Sequence, residues 1–139
     1  MINNIDHLRA AFQNTSYWFD TPAGRICMRV GQSNPALDAL LELHGVTTWA
    51  YVTACNPGSQ IQADVENGRA NAKLLCEVQK QSLHHFPGAS VSDDSKWPEE
   101  PSLLILGIAR EAAGQLGRAY GQNAVVIGRL GEPAELLWC

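Results

Sequence analysis

Thr47-Thr-Trp-Ala-Tyr-Val-Thr-Ala-Cys55 decides the fold class. It is rich in β-branched and aromatic residues and carries no charge, the pattern of a central strand covered on both faces. Asn56-Pro-Gly-Ser59 breaks it. A long helix then runs from about Ala63 to Leu83, with Ala70, Leu74, Leu75 and Val78 as its apolar stripe. Upstream, Ser33 or Asn34 caps a helix that starts at Pro35, buries Leu37, Leu40 and Leu41, and closes at Gly45. Before it, Tyr17–Phe19 and Arg25–Val30 alternate as strands around the turn residues 20–24, so a hairpin is expected. Residues 1–14 read as a helix on the spacing of Ile5, Leu8 and Phe12. Downstream come a short strand around Pro87-Gly88, a polar loop from Ser92 to Pro101, a strand Leu103–Ile108, a helix Ala109–Tyr120 and a strand Asn123–Ile127. Ala134–Trp138 is read as an edge strand or turn. The pattern predicts an α/β (or α+β) fold: a single compact domain over 1–139, with a mixed β-sheet and helices packed on both faces.

Composition narrows the function classes. The chain has 139 residues, which fits one domain. With 45% hydrophobic residues it can build a core, and with 17% charged residues much of its surface must be neutral and polar. Ten Lys+Arg against fourteen Asp+Glu give a net charge of −4, which argues against nucleic-acid binding. No stretch approaches the ~18 apolar residues of a membrane span, so no membrane association is expected. The start of the chain has no apolar leader core, and a cytoplasmic location is the expectation. Cys27, Cys55, Cys76 and Cys139 form no Cys-x-x-Cys pair and read as free thiols.

Three polar segments interrupt the apolar pattern. The first, Thr53 to Gln60, follows the central strand and leads into the long helix. Asn56, Ser59 and Gln60 offer neutral donors and acceptors there, and a helix N-terminus would favour an anion. The segment has neither the Walker nor the dinucleotide-binding glycine pattern. Asn67 and Asn71, at i and i+4, share a face of the helix that follows, and Arg69 lies between them. The second segment is Lys96-Trp-Pro-Glu-Glu-Pro-Ser102. Trp97 can stack on a planar ligand or cover core, and of Glu99 and Glu100 only one can face a cleft from an extended chain. The third is Gly121-Gln122-Asn123, whose amides can read a ligand or satisfy the end of a helix. Other chemistry fits poorly. Cys76 with His84-His85 lacks the spacing of a metal site, so no metal is expected. Cys55 has no histidine placed near it by sequence. Arg25 and Arg29 can reach an anion or only water.

Thr53-Ala-Cys-Asn-Pro-Gly-Ser, Asn67, Trp97-Pro-Glu-Glu-Pro-Ser-Leu-Leu-Ile-Leu-Gly-Ile108 and Gly121-Gln-Asn-Ala-Val-Val126, in that order, resemble the bacterial domain-of-unknown-function family 3293. The resemblance runs from about Tyr17 to Leu137. The family often has a bulky residue where Cys55 stands, which counts against a nucleophilic role for it. The resemblance implies that Thr53, Asn56, Ser59, Asn67, Glu100, Ser102 and Gln122 belong to a signature. They form either a shared pocket or a buried polar network. It implies no activity and no cofactor.

The expected function is therefore binding of a small polar or anionic ligand, such as a nucleotide or phosphorylated metabolite. Thr53, Asn56, Ser59, Gln60, Asn67, Trp97, Ser102, Gln122 and Asn123 would hold it, with Glu100 or Glu99 as acid/base. The alternative is a non-catalytic protein-interaction or homodimerisation module using Trp18 and Trp138.

Overall fold

A computed structural model describes residues 4–139. Its elements are α1 (Asn4–Gln13), β1 (Thr15–Thr21), β2 (Gly24–Met28), α2 (Pro35–Leu43), β3 (Thr48–Val52), α3 (Asp64–Lys80), β4 (His85–Ser92), β5 (Glu100–Leu106), α4 (Arg110–Ala119), β6 (Ala124–Arg129) and β7 (Glu135–Trp138). A single 3₁₀ turn covers Pro57–Ser59.

Period-two alternation in β3 divides the core. Trp49 and Tyr51 face one side of the sheet, with Tyr17, Phe19, Leu104, Leu106 and Leu37, Leu40 and Leu41 of α2. Ala50 and Val52 face the other, with Ile105, Val125 and Ile127 against α3 and α4. The register keeps the faces consistent: Trp49 pairs with Leu106, Tyr51 with Leu104 and Val126, and Ala50 with Ile105 and Ile127. Opposite Trp49 in β6 stands Gly128, where a Cβ would lie 2.4 Å from the indole ring. The ring therefore packs flat on backbone at this position.

The strand order is β2-β1-β4-β5-β3-β6-β7, and every ladder is antiparallel. The expected α/β domain with helices on both faces is present, but its sheet is antiparallel rather than mixed. The reason lies in the crossovers. β3-α3-β4 and β5-α4-β6 each return a strand in its starting direction, but one position further along. β5 fills the first gap and β3 the second, each running the opposite way. This interleaving is the βαββαβ order of the split β-α-β, ferredoxin-like arrangement. The β1–β2 hairpin widens it on one side and β7 on the other, and α1 and α2 cover the face that α3 and α4 leave open.

The sheet is strongly curled. The Tyr51 hydroxyl donates to the Trp18 carbonyl at 2.7 Å, although β5 and β4 lie between their strands. In a flat sheet three strand spacings would separate them by about 14 Å. The Tyr17 and Tyr51 rings meet edge to face at 5.4 Å inside the curl. Gly88 permits the closest approach: a Cβ there would sit 2.0 Å from the Trp18 carbonyl oxygen.

Two elements differ from expectation in extent. The Pro87-Gly88 strand is a full interior strand between β1 and β5. The polar loop ends early, because β5 begins at Glu100 and pairs it with Ser90. Among the described residues no helix is long and apolar enough to cross a membrane.

Candidate functional site

Beyond Val52 the chain leaves the sheet, and its backbone N–H groups need new partners. Two asparagines on one face of α3 supply them. Asn71 Oδ1 accepts from Ala54 N–H at 3.0 Å, and Asn67 Oδ1 accepts from Asn56 N–H at 2.9 Å. The i, i+4 spacing of the side chains matches the two-residue step of the extended strand, which explains the shared face.

Asn56 itself is 4% exposed and left-handed, at φ 49° and ψ 61°. Asparagine tolerates that conformation better than most residues. Its Oδ1 accepts from Gln62 N–H at 2.8 Å and from Asn67 Nδ2 at 3.0 Å. Its Nδ2 donates to Glu100 Oε2 at 2.8 Å. Trp97 Nε1 donates to the same oxygen at 3.0 Å. The first and second polar segments thus meet at one carboxylate. The third packs onto the first: Gln122 Nε2 donates to the Cys55 carbonyl at 3.0 Å, Asn123 Nδ2 to Ser59 Oγ at 2.6 Å, and Gly58 N–H to the Gly121 carbonyl at 2.7 Å.

These segments form one wall of a cavity of about 640 Å³ between α1 and the curled sheet. Ligand sites commonly span ~300–1,000 Å³. Thr53, Asn56, Ser59, Trp97, Glu100, Ser102, Gln122 and Asn123 line it. Asn67 lies behind the wall as the partner of Asn56, while Gln60 and Glu99 are exposed and outside the lining. The extended run through Pro101 and Ser102 settles the choice between the two glutamates, because alternation turns Glu100 inward with Ser102 and sends Glu99 to solvent.

Sequence reasoning missed the remaining lining. Tyr17, Tyr51 and Ser90 form the floor, and Leu8, Ala11 and Phe12 of α1 form the roof. Tyr51 stands two residues before Thr53 on the same strand face, which was the available signal.

The helix N-terminus is not part of the site. Residues 60–63 separate the 57–59 turn from α3, which begins at Asp64, and the first turn of α3 carries Asp64 and Glu66 outside the cavity. The expected anion-favouring dipole is therefore absent from the lining. Arg25 pairs with Asp20 and lies 3.6 Å over the Trp18 ring. Arg29 bonds Asp93, Ser16 and the Gln13 carbonyl. Trp138 is packed by Phe12 and Arg9.

Burial pushes the Glu100 carboxyl above its ordinary range, and the hydrogen bonds from Asn56 and Trp97 pull it part of the way back. Burial also pushes the Tyr17 and Tyr51 hydroxyls up, so both stay neutral. The Cys55 thiol is buried and pushed up by desolvation, the opposite of an activated nucleophile. Chemically, the arrangement offers one carboxyl that can exchange a proton at its cavity side, held between neutral donors.

Comparison with curated proteins and with solved structures finds no match. A family model does match, over residues 52–125, more than half of the 139. That span is shorter than the sequence resemblance implied. It runs from the end of β3 to the start of β6 and takes in all three polar segments. The chain belongs to the family described as protein of unknown function (DUF3293).

Proposed function

We propose that the cavity beneath α1 is a binding site for a small polar organic molecule and that Glu100 contacts it. One observation carries this reading: three polar segments far apart in sequence meet at the wall of one cavity, where the first and second share the Glu100 carboxylate and the third packs onto the first. Glu100 is the group best placed to take or give a proton there, since a carboxyl raised by burial works closer to neutral pH. A nucleotide or phosphorylated ligand fits less well, because Asp93, Asp94 and Glu100 outnumber Lys96 in the lining and no helix N-terminus enters it.

Thermal unfolding against a panel of amines, sugars, neutral amides, carboxylates and nucleotides tests the reading, with wild type and Glu100→Gln side by side. A ligand at a hundred times its Kd should add about 2.7 kcal/mol, several degrees for a domain of this size. The expected result is a shift in wild type that Glu100→Gln weakens. No shift from any member of the panel would count against a ligand site.

A further inference from the structure

Four hydroxyl groups of the cavity lining have their protons engaged on backbone carbonyls. Tyr17 donates to the Phe12 carbonyl, Tyr51 to the Trp18 carbonyl, Thr53 to the Pro101 carbonyl and Ser102 to the Glu100 carbonyl, at 2.7–3.0 Å. A hydroxyl whose proton is engaged presents only lone pairs to a ligand. N–H donors of the wall are engaged as well: one from Asn56 and that of Trp97 on Glu100, and those of Gln122 on the Cys55 and Tyr120 carbonyls. What the cavity offers a guest is mostly acceptors.

Glu100 sharpens this asymmetry. Both of its donors are neutral and both use Oε2. Among the described residues the ion pairs are Arg25–Asp20, Arg29–Asp93 and Arg110–Glu135, and none involves Glu100. No described group donates to Oε1, and no unpaired side-chain polar atom among the described residues is sealed from solvent, so Oε1 retains access to the cavity. A half-buried carboxylate is stabilised by a counterion, and the described residues pair none with it here. Lys96 on the rim is exposed and has Asp93 and Asp94 beside it in the lining.

We propose that the cavity selects an organic cation: a protonated nitrogen seated against Glu100 Oε1, on a flat or apolar body that packs against the rings of Tyr17, Tyr51 and Trp97. Aromatic faces attract such cations, and acceptor oxygens match their N–H groups. This deepens the ligand-site reading above and rests on it.

One shape in three charge states makes the test. Phenethylamine, phenethyl alcohol and hydrocinnamate are titrated into the full chain by calorimetry, with agmatine and choline as guanidinium and quaternary probes. The amine should bind at least about ten-fold more tightly than the alcohol, and the acid least. Glu100→Gln should erase the preference, while the neighbouring exposed Glu99→Gln should keep it. Equal or tighter binding of the alcohol or the acid overturns the proposal, as does a preference that survives Glu100→Gln in a folded variant. Absence of binding by every cation at about 10 mM, a concentration that detects even very weak sites, also overturns it. In that case a shift from a neutral member of the wider panel leaves the ligand site standing, and no shift from any compound removes both. Should Glu100→Gln fail to fold, the wild-type charge series decides alone.

Discussion

The two helices on one face of the sheet are built to different ends. α2 buries Leu37, Leu40 and Leu41 in one cluster with Trp49, Leu104 and Leu106. α1 buries none of its described side chains fully: Ile5 is 49% exposed, Leu8 and Phe12 are half-buried, and the space beneath is the cavity. The strands below continue from one helix to the other, so the sheet does not cause the difference. The side chains do. Under α2 the inward positions are Trp49, Leu104 and Leu106. Toward α1 the same strands turn inward Tyr51, Thr53, Ser102 and Glu100. Close packing is forgone at one end of a face that achieves it at the other, which is how a binding site within a stable domain is commonly made.

Truncation of matched leucines is the most direct way to break the comparison. Leu41→Ala should lower unfolding stability by about 2–5 kcal/mol, because the site is sealed and close-packed. Leu8→Ala should lower it by less than about 1 kcal/mol. Urea denaturation measures both, and equal losses would mean that α1 is core like α2. Next in size is Asn56→Ala, expected to cost about 1–3 kcal/mol through the orphaned Gln62 N–H and Asn67 amide. Asn56→Gly keeps the left-handed backbone free of strain, so it should be milder than alanine by up to about 1 kcal/mol. Alanine and glycine of equal effect would show that the side-chain bonds alone matter. Hydrogen exchange provides a quieter measure: amides of α1 should open more readily than those of α2.

The α2 end was legible in the sequence and the α1 end was not. Asn34 accepting from the Leu37 N–H, Pro35 at the first turn, and leucines at helical spacing are local signals that the fold obeys. The shared face of Asn67 and Asn71 was legible for the same reason, although only the fold reveals that it completes the backbone of residues 54 and 56. The cavity depends on non-local facts. Pro87-Gly88 reads only as a short strand, yet it lies in a full interior strand, and the glycine is there because β1 passes too close for any Cβ. Pro98 and Pro101 flank Glu100 and mask the strand that turns it inward. The interleaved strand order follows from which strand fills each crossover gap, and no residue encodes that alone. The loop 56–60 was assigned to the N-terminus of the helix because it precedes it. The intervening residues 60–63 carry no capping signal, and Ala63 makes no side-chain cap.

The smallest effect separates the two ends by pH. Glu100 is raised by burial, so the folded chain holds its proton more tightly than the unfolded chain does. Its contribution is fully present below the unfolded value of ~4.3 and is lost as pH rises through the higher folded value. Asp20, Asp93 and Asp94 work in the opposite sense. Hydrogen bonds from Arg25, Arg29 and the Lys96 backbone hold them below the ordinary range, so stability is lost as pH falls through their folded values, below ~3.9. These windows lie on either side of pH 4, and a subtraction isolates the cavity's share. Stability of wild type minus that of Glu100→Gln should be highest below pH ~4, fall as pH rises, and level off above the folded value. In an Asn56→Gly background the fall should extend to higher pH, because one of the two hydrogen bonds that hold the carboxyl down is gone. Leu41→Ala should leave the curve unchanged, since it thins the closed end of the face and Leu41 lies outside the cavity lining. Parallel wild-type and Glu100→Gln curves would mean that Glu100 is solvated like a surface residue, and the difference between the two ends would then be one of shape alone.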